Sequence, residues 1–226
     1  MPKKTRALKL TDKRGGKPWL KKRGISKYRL NTIDVKKTFL ITCEGQTEEM
    51  YFKSFPVVTA SVKLYPMGCS RTSLVECTKA IVAEESYDEV WCVFDMDVNP
   101  DVIGQIGDYN NAIKEARENG FHTAYSNDAF ELWFVLHFQY LDQQIGRTSY
   151  YKILNDRFGL KHYEKEGKKK SFAAKIYEKL INDQPTALKN AQKLYELMQD
   201  KQPYHLQNPV TLVYQLVNEL NKYIRP

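Results

Sequence analysis

The sequence has no uninterrupted apolar run long enough to cross a bilayer, and its N-terminus, MPKKTRALKLTDKRGGK, is too charged for a signal peptide. No membrane span or export signal is expected, and the expected location is the cytoplasm. Cysteine is scarce: Cys43, Cys69, Cys77 and Cys92 form no CxxC pair and meet no histidine spacing suited to zinc. A zinc module and a disulfide framework are therefore disfavoured. Cys43 and Cys92, inside apolar runs, read as small buried hydrophobes. A GxxxxGK[ST] segment is also missing, so the chain brings no ATP site of that kind.

Positive charge is present in excess, but only at one end. Residues 1–37 hold fourteen Lys or Arg against Asp12 and Asp34, a net of +12 out of the chain's +8, which leaves −4 for the rest. This leader has little apolar periodicity and is broken by Gly15-Gly16, Pro18 and Gly24. It reads as a flexible basic arm. Such an arm is the usual electrostatic footprint for nucleic acid, because each phosphate contact releases counterions, with Lys21, Lys22 and Arg23 as candidate contacts. A solubilising tail, or a segment docking on an acidic protein, is the competing reading.

From Lys37 the pattern turns regular. TFLITCEG is an apolar strand ending at Glu44-Gly45, and Thr47 is placed to cap a helix EEMYFKSF that stops near Pro56. SVKLYPMG alternates as a second strand, and SLVECTKAIVAEESY has helical spacing. VWCVF is a third strand, followed by the helix DYNNAIKEAREN, which Gly120 closes. FHTAYS is a fourth strand, with Ser126, Asn127 or Asp128 able to cap AFELWFVLHF. Four alternations of strand and helix predict an α/β fold with a mostly parallel sheet flanked by helices.

The end of the third strand is unusual, because VWCVFDMDVNPD runs five apolar residues straight into Asp95 and Asp97. On a strand these two share a face while Met96 turns away, so two like charges are held together. Turn chemistry accounts for one aspartate, as Asn99-Pro100-Asp101 follows. A divalent cation accounts for both, since hard oxygen ligands collect Mg²⁺ or Mn²⁺. Ligands in parallel sheets gather outside the carboxyl ends of the strands, where Glu44 and, one helical turn later, Glu48 also arrive. Acids delivered to one rim by several elements favour the metal. Glu131, in the first turn of its helix, is a further candidate ligand, or a complement to the helix dipole. His137 shares a face with Phe130, Trp133 and Phe134 and reads as a core histidine, and Asn127 and Asn208 read as helix caps.

Beyond Tyr140 the segment RTSYYKILNDRFGLKHYEKEGKKKSF is polar and basic and is expected as a loop, in which Lys168, Lys169 and Lys170 are candidate phosphate contacts. Helices AAKIYEKLIN, TALKNAQKLYELMQ and NPVTLVYQLVNELNKYI follow. In the last, Asn208 is the cap, Pro209 the first helical residue, and Val210, Val213, Leu216, Val217 and Leu220 the core face. The expected organisation is a basic arm over 1–37, a core over 38–140, and a basic loop with C-terminal helices packed on the core over 141–226.

Four blocks in this order, ITCEGQTEEMYF, VFDMD, SNDAFELWFVLHF and NPVTLVYQLV, resemble the RloB family of bacterial proteins. These proteins are encoded in phage-defence and restriction-associated loci and have a Toprim-like core. The resemblance implies a glutamate after the first strand and a DxD pair after the third, which fall on Glu44, Asp95 and Asp97. Glu48 is similar in position to a second acid of Toprim nucleases of the overcoming-lysogenization-defect branch.

The expected activity is a metal-dependent nuclease acting in anti-phage defence, on RNA such as tRNA rather than DNA. In it Asp95, Asp97, Glu44 and Glu48 hold one or two Mg²⁺ or Mn²⁺, roughly 4 Å apart if paired, and Glu44 is alternatively a general acid or base. The competing class is a non-catalytic nucleic-acid-binding or regulatory subunit beside an ATPase partner, with self-association left open. An aspartyl phosphatase of the haloacid dehalogenase type would want a hydroxyl residue two positions after the second aspartate, where Asn99 stands.

Overall fold

A computed structural model describes residues 36–69, 71–99 and 102–224 of the chain. The sequence Lys37–Cys43 forms β1, Gln46–Lys53 α1, Ala60–Pro66 β2, Arg71–Glu84 α2, Glu89–Asp95 β3, Gln105–Glu118 α3 and His122–Asn127 β4. Three parallel strand pairings follow from this alternation, with β5 (Val210–Thr211) added antiparallel to β4 in a sheet of order β2-β1-β3-β4-β5. The α/β class, the mostly parallel sheet and the flanking helices are as the sequence predicts. Val90 to Phe94 are all buried, because β3 lies between β1 and β4 in the middle of the sheet. That position explains a run that is apolar without alternation.

The strand order has one consequence for function. From β1 the chain steps outward to β2 on one side, then crosses back so that β3 and β4 lie on the other. The carboxyl ends of β1 and β3 are therefore neighbours across a topological switch point, where a crevice opens. Cys43 pairs in register with Val93, which puts Glu44 beside the end of β3.

Lys37 opens β1 rather than ending the arm, and its ammonium pairs with Glu89 on the neighbouring strand and with Glu219. Lys36 beside it donates to the Val58 carbonyl at 3.2 Å, and residues 1–35 of the leader, Lys21, Lys22 and Arg23 included, lie outside the described residues.

After β4 come the short α4 (Glu131–Val135), then α5 (Arg147–Phe158), α6 (Tyr163–Glu166), α7 (Lys170–Leu180), α8 (Gln184–Met198) and α9 (Val213–Asn221). The stretch expected as a basic loop is thus largely helical. Tyr150, Tyr151 and Leu154 of α5 and Tyr163 of α6 are buried. Its polar average concealed an apolar stripe at helical spacing.

Beneath the crevice an aromatic layer joins three helices. Tyr51 of α1 meets Phe134 of α4 at 5.5 Å between ring centroids and Phe52 at 5.3 Å, and Phe55 meets Tyr177 of α7 at 4.6 Å. Glu48 lies one turn before Tyr51, and Glu131 stands between Phe130 and Phe134. The two acids are carried by residues the core holds rigidly.

The expected caps are used elsewhere. Helix α1 starts at Gln46 after Gly45, leaving Thr47 inside it, and α4 starts after Phe130 with no side-chain cap. Ser126 Oγ lies 2.8 Å from Thr211 Oγ1, and Asp128 Oδ2 accepts from the Arg147 N–H at 3.2 Å. Asn127 is fully buried. Its amide donates to the Tyr204 carbonyl at 3.0 Å and the Gln207 carbonyl at 2.7 Å, and its oxygen accepts from the Tyr109 hydroxyl. Nor is Asn208 a cap, because Val210 and Thr211 pair with Asn127 and Ser126 and the helix begins only at Val213. The open edge of β4 outcompeted helix propagation there. Val213, Leu216, Val217 and Leu220 keep their core role. Gly120 does follow α3 in the left-handed region, at φ +76°, as a closing glycine should.

Replacing Asn127 with Ala strands the buried Tyr109 hydroxyl, the buried Gln207 carbonyl and the part-buried Tyr204 carbonyl. Urea unfolding of Asn127→Ala should show a loss of about 2–4 kcal/mol. A loss within experimental error would mean that these groups find other partners.

Candidate functional site

Glu44 leaves the end of β1 and Asp95 ends β3, and the two are already joined: the Asp95 N–H donates to Glu44 Oε2 at 3.4 Å. Asp97 reaches the same place by a different route from the one strand alternation predicts. The strand ends at Asp95, and Asp97 sits at φ +25°, a left-handed conformation that L residues rarely adopt. Its N–H donates to the Asp128 carbonyl at 3.1 Å, and that of Met96 to the Ser126 carbonyl at 2.9 Å, so the segment runs on beside the end of β4.

Two arginines hold this turn, and neither was singled out from the sequence. Arg71, buried at the start of α2, donates to the carbonyls of Asp95 at 3.3 Å, Met96 at 2.6 Å and Asp97 at 2.8 Å. It fixes the backbone that carries the acid pair. Arg147, the first residue of α5, reaches the carboxylates themselves, with one terminal nitrogen 3.3 Å from Asp95 Oδ2 and the other 2.8 Å from Asp97 Oδ1. Arg71 was legible only as a cation just after the second strand, on the same rim. Arg147 was hidden in a segment where more than half of the residues are charged or polar.

Glu48 and Glu131 complete the acid rim. They are 7% and 4% exposed, and with Glu44, Asp95, Asp97, Arg147 and Lys168 they line one cavity of about 380 Å³. Of the expected lysine contacts, Lys168 lines this cavity, its ammonium 5.7 Å from the Tyr151 ring centre, while Lys169 and Lys170 are exposed outside it. His137 is apart from the rim. Its Nδ1 lies 2.9 Å from the Trp133 carbonyl, and burial lowers its pKa to about 4, so it is a neutral core histidine as expected. Cys43 and Cys92 are buried free thiols, also as expected.

Burial dominates the electrostatics. It pushes the Glu44 carboxyl up to about 7, against the pull of Arg71, and the Glu48 carboxyl up to about 7. Asp95 rises well above the usual carboxylate range for the same reason, reinforced by Glu44 and Glu48 and opposed by Arg147. Burial raises Glu131 too, with Lys168 opposing. A rim on which Glu44, Glu48, Asp95 and Glu131 are driven toward protonation is short of positive charge.

These are hard oxygen donors, and their chemistry fits Mg²⁺ or Mn²⁺ rather than a softer metal. Among the described residues no three of them already stand in ligating geometry. Glu44, Glu48, Asp95, Asp97 and Glu131 are the residues that would hold a cation.

A family comparison bears on this rim. The family described as RloB-like protein matches residues 39–220, a span that contains all five acids and both cavity cations. The chain belongs to the RloB-like protein family. No curated protein and no solved structure matches it. Among the described residues no helix is long and apolar enough to cross a membrane.

In this RloB-like chain Gly45 makes room for Glu48. A Cβ at position 45 would stand 2.7 Å from Glu48 Oε2. Since the atom in the way is the end of a side chain, Gly45→Ala should leave the melting temperature within a few degrees but displace the Glu48 carboxylate. The Mn²⁺ affinity of that variant, measured by calorimetry, should fall about tenfold, on the scale seen when a supporting contact at a metal site is lost. Unchanged affinity would remove Glu48 from the ligand set.

Proposed function

We propose that the protein is a metal-dependent nuclease that cleaves phosphodiester bonds, in RNA, tRNA included, ahead of DNA, and that it acts in anti-phage defence. The observation that carries this reading is the convergence of Glu44, Glu48, Asp95, Asp97 and Glu131 at the sheet's switch point, in a cavity that also receives Arg147 and Lys168. Acids alone would repel a phosphate. Acids with two cations and room for a divalent ion make a site for a phosphodiester.

A divalent cation bound by these carboxylates would supply the charge that stabilises the attacking and leaving oxygens. The protein's own groups do the rest. Glu44, as an alternative to binding the ion, takes a proton from an attacking water or returns one to the leaving oxygen. Lys168 neutralises Glu48 and Glu131 and offers its ammonium to a non-bridging oxygen. Arg71 holds Asp95 and Asp97 in place without touching substrate. The basic leader over 1–37 supplies long-range attraction for nucleic acid.

A second reading has one observation in its favour. Arg147 already neutralises the Asp95 and Asp97 pair, as it would if the acids were structural and the protein a nucleic-acid-binding or regulatory subunit of an ATPase-containing complex. One assay separates the two: purified protein, Mg²⁺ or Mn²⁺, and end-labelled tRNA, generic RNA, and single- and double-stranded DNA. The nuclease reading expects metal-dependent cleavage, with RNA cut faster. A folded protein that cuts none of them favours the subunit.

A further inference from the structure

The two arginines at the acid pair differ in a way that bears on how the site fills. Arg71 is buried, and its donors are committed to three backbone carbonyls and, at 3.7 Å, to the Asp108 carboxylate. Moving it would undo the turn. Arg147 is 24% exposed along its side chain, faces the cavity, and puts each terminal nitrogen on a different carboxylate instead of forking onto one. It therefore lacks the two parallel bonds to a single partner that make an arginine and carboxylate pair strong. Its backbone is nevertheless anchored, through the N–H bond to Asp128 Oδ2 at 3.2 Å. Arg147 is a guanidinium on a fixed pivot.

We propose that Arg147 is an exchangeable counter-cation. While no divalent ion is bound it neutralises Asp95 and Asp97, and when one enters it releases them and turns its guanidinium to a phosphate of single-stranded nucleic acid in the same cavity. The inference rests on the metal-dependent nuclease reading and adds to it a link between metal entry and phosphate capture.

The charges require such an exchange. Five carboxylates and two side-chain cations line the cavity, so a divalent ion is welcome there as a whole. At Asp95 and Asp97, however, it meets a cation already in contact with both. Like charges sharing those two carboxylates repel, and the more weakly held guanidinium is the one free to turn away. The freed guanidinium has five donors in a planar fork, which suits the non-bridging oxygens of a phosphodiester better than any other group in the cavity.

The test is Mn²⁺ titration by calorimetry of the full-length wild type, Arg147→Gln and Arg147→Lys, paired with binding of a short single-stranded RNA in Ca²⁺. Removing the competitor should tighten Mn²⁺ binding about fivefold in Arg147→Gln, worth about 1 kcal/mol, while RNA affinity falls about tenfold. Arg147→Lys should lie between the two on both measures, and it serves if the glutamine variant does not fold. A merely structural ion pair predicts the opposite sign for the metal, since losing it would loosen the site. Mn²⁺ affinity unchanged or weaker in a folded Arg147→Gln overturns the exchange and leaves the nuclease reading intact. Tighter Mn²⁺ binding with undiminished RNA affinity overturns phosphate capture. If none of the three proteins binds Mn²⁺, the exchange and the metal site fall together.

Discussion

Asp95→Asn should abolish metal-dependent cleavage, lowering the rate by about a thousandfold or more, the scale expected when a principal electrostatic group is removed from a reacting centre. Asp95 is the acid most tied into the site: its N–H bonds Glu44, its carbonyl accepts from Arg71, and its carboxylate meets Arg147. The substitution keeps the shape of the side chain and removes only its charge. Because burial already drives that carboxyl toward its neutral form, the amide relieves a cost, and the metal-free melting temperature should hold or rise by a few degrees. Mn²⁺ binding should weaken sharply in the same sample. An Asp95→Asn protein that folds normally and still cuts would remove the DxD pair from the chemistry.

The metal-free protein should lose stability as pH rises from about 4.5 to about 7, and a divalent cation should restore it. Folded Glu44 and Glu48 release their protons only near 7, whereas the unfolded chain releases them near 4.5. Across that window the folded state binds more protons, so each step up in pH favours unfolding. With one pH unit equal to about 1.4 kcal/mol, each glutamate contributes at most about 3.5 kcal/mol. His137, whose pKa burial lowers from 6.5 to about 4, contributes with the opposite sign over nearly the same window and offsets about one of the two glutamates, while Asp88, whose carboxyl the Thr38 backbone and hydroxyl hold down, opposes only below the ordinary carboxylate range. Thermal unfolding at pH 5 and 7.5, with and without Mn²⁺, reads the effect. The Mn²⁺-induced rise in melting temperature should be larger at 7.5, and Glu48→Gln should flatten the metal-free slope. A metal-free protein that grows more stable through this window would mean that the buried acids are already compensated.

Much of this site was legible from spacing, because strand ends are short-range features. TFLITCEG and VWCVFDMD each declare a buried strand and the acid that terminates it, and parallel strands deliver such residues to one rim. The route of Asp97 was not legible: the sequence pairs it with Asp95 by alternation, while the chain achieves the same convergence through a positive-φ turn pinned by Arg71. Side chains with local and distant uses at once were also misread. Asn127 has the chemistry of a cap, yet its amide is consumed by Tyr204 and Gln207, nearly eighty residues away in the chain. Val210 fits a helix face, yet its backbone is claimed by β4. Arg147 is the clearest miss, because nothing in RTSYYKILNDRF separates the one arginine that faces the acids from its many basic neighbours.

The two-residue strand β5 has a consequence for the chain's history. Until Val210 and Thr211 arrive, the outer edge of β4 presents free backbone donors and acceptors beside the buried Tyr125 and Asn127. An unpaired edge of that kind templates pairing with another molecule. The polypeptide is therefore exposed to self-association at that edge until Val210 and Thr211 have been synthesised, or after a nick that removes them. The shortest strand in the sheet replaces a long open edge with one only two residues long, too short to template much pairing.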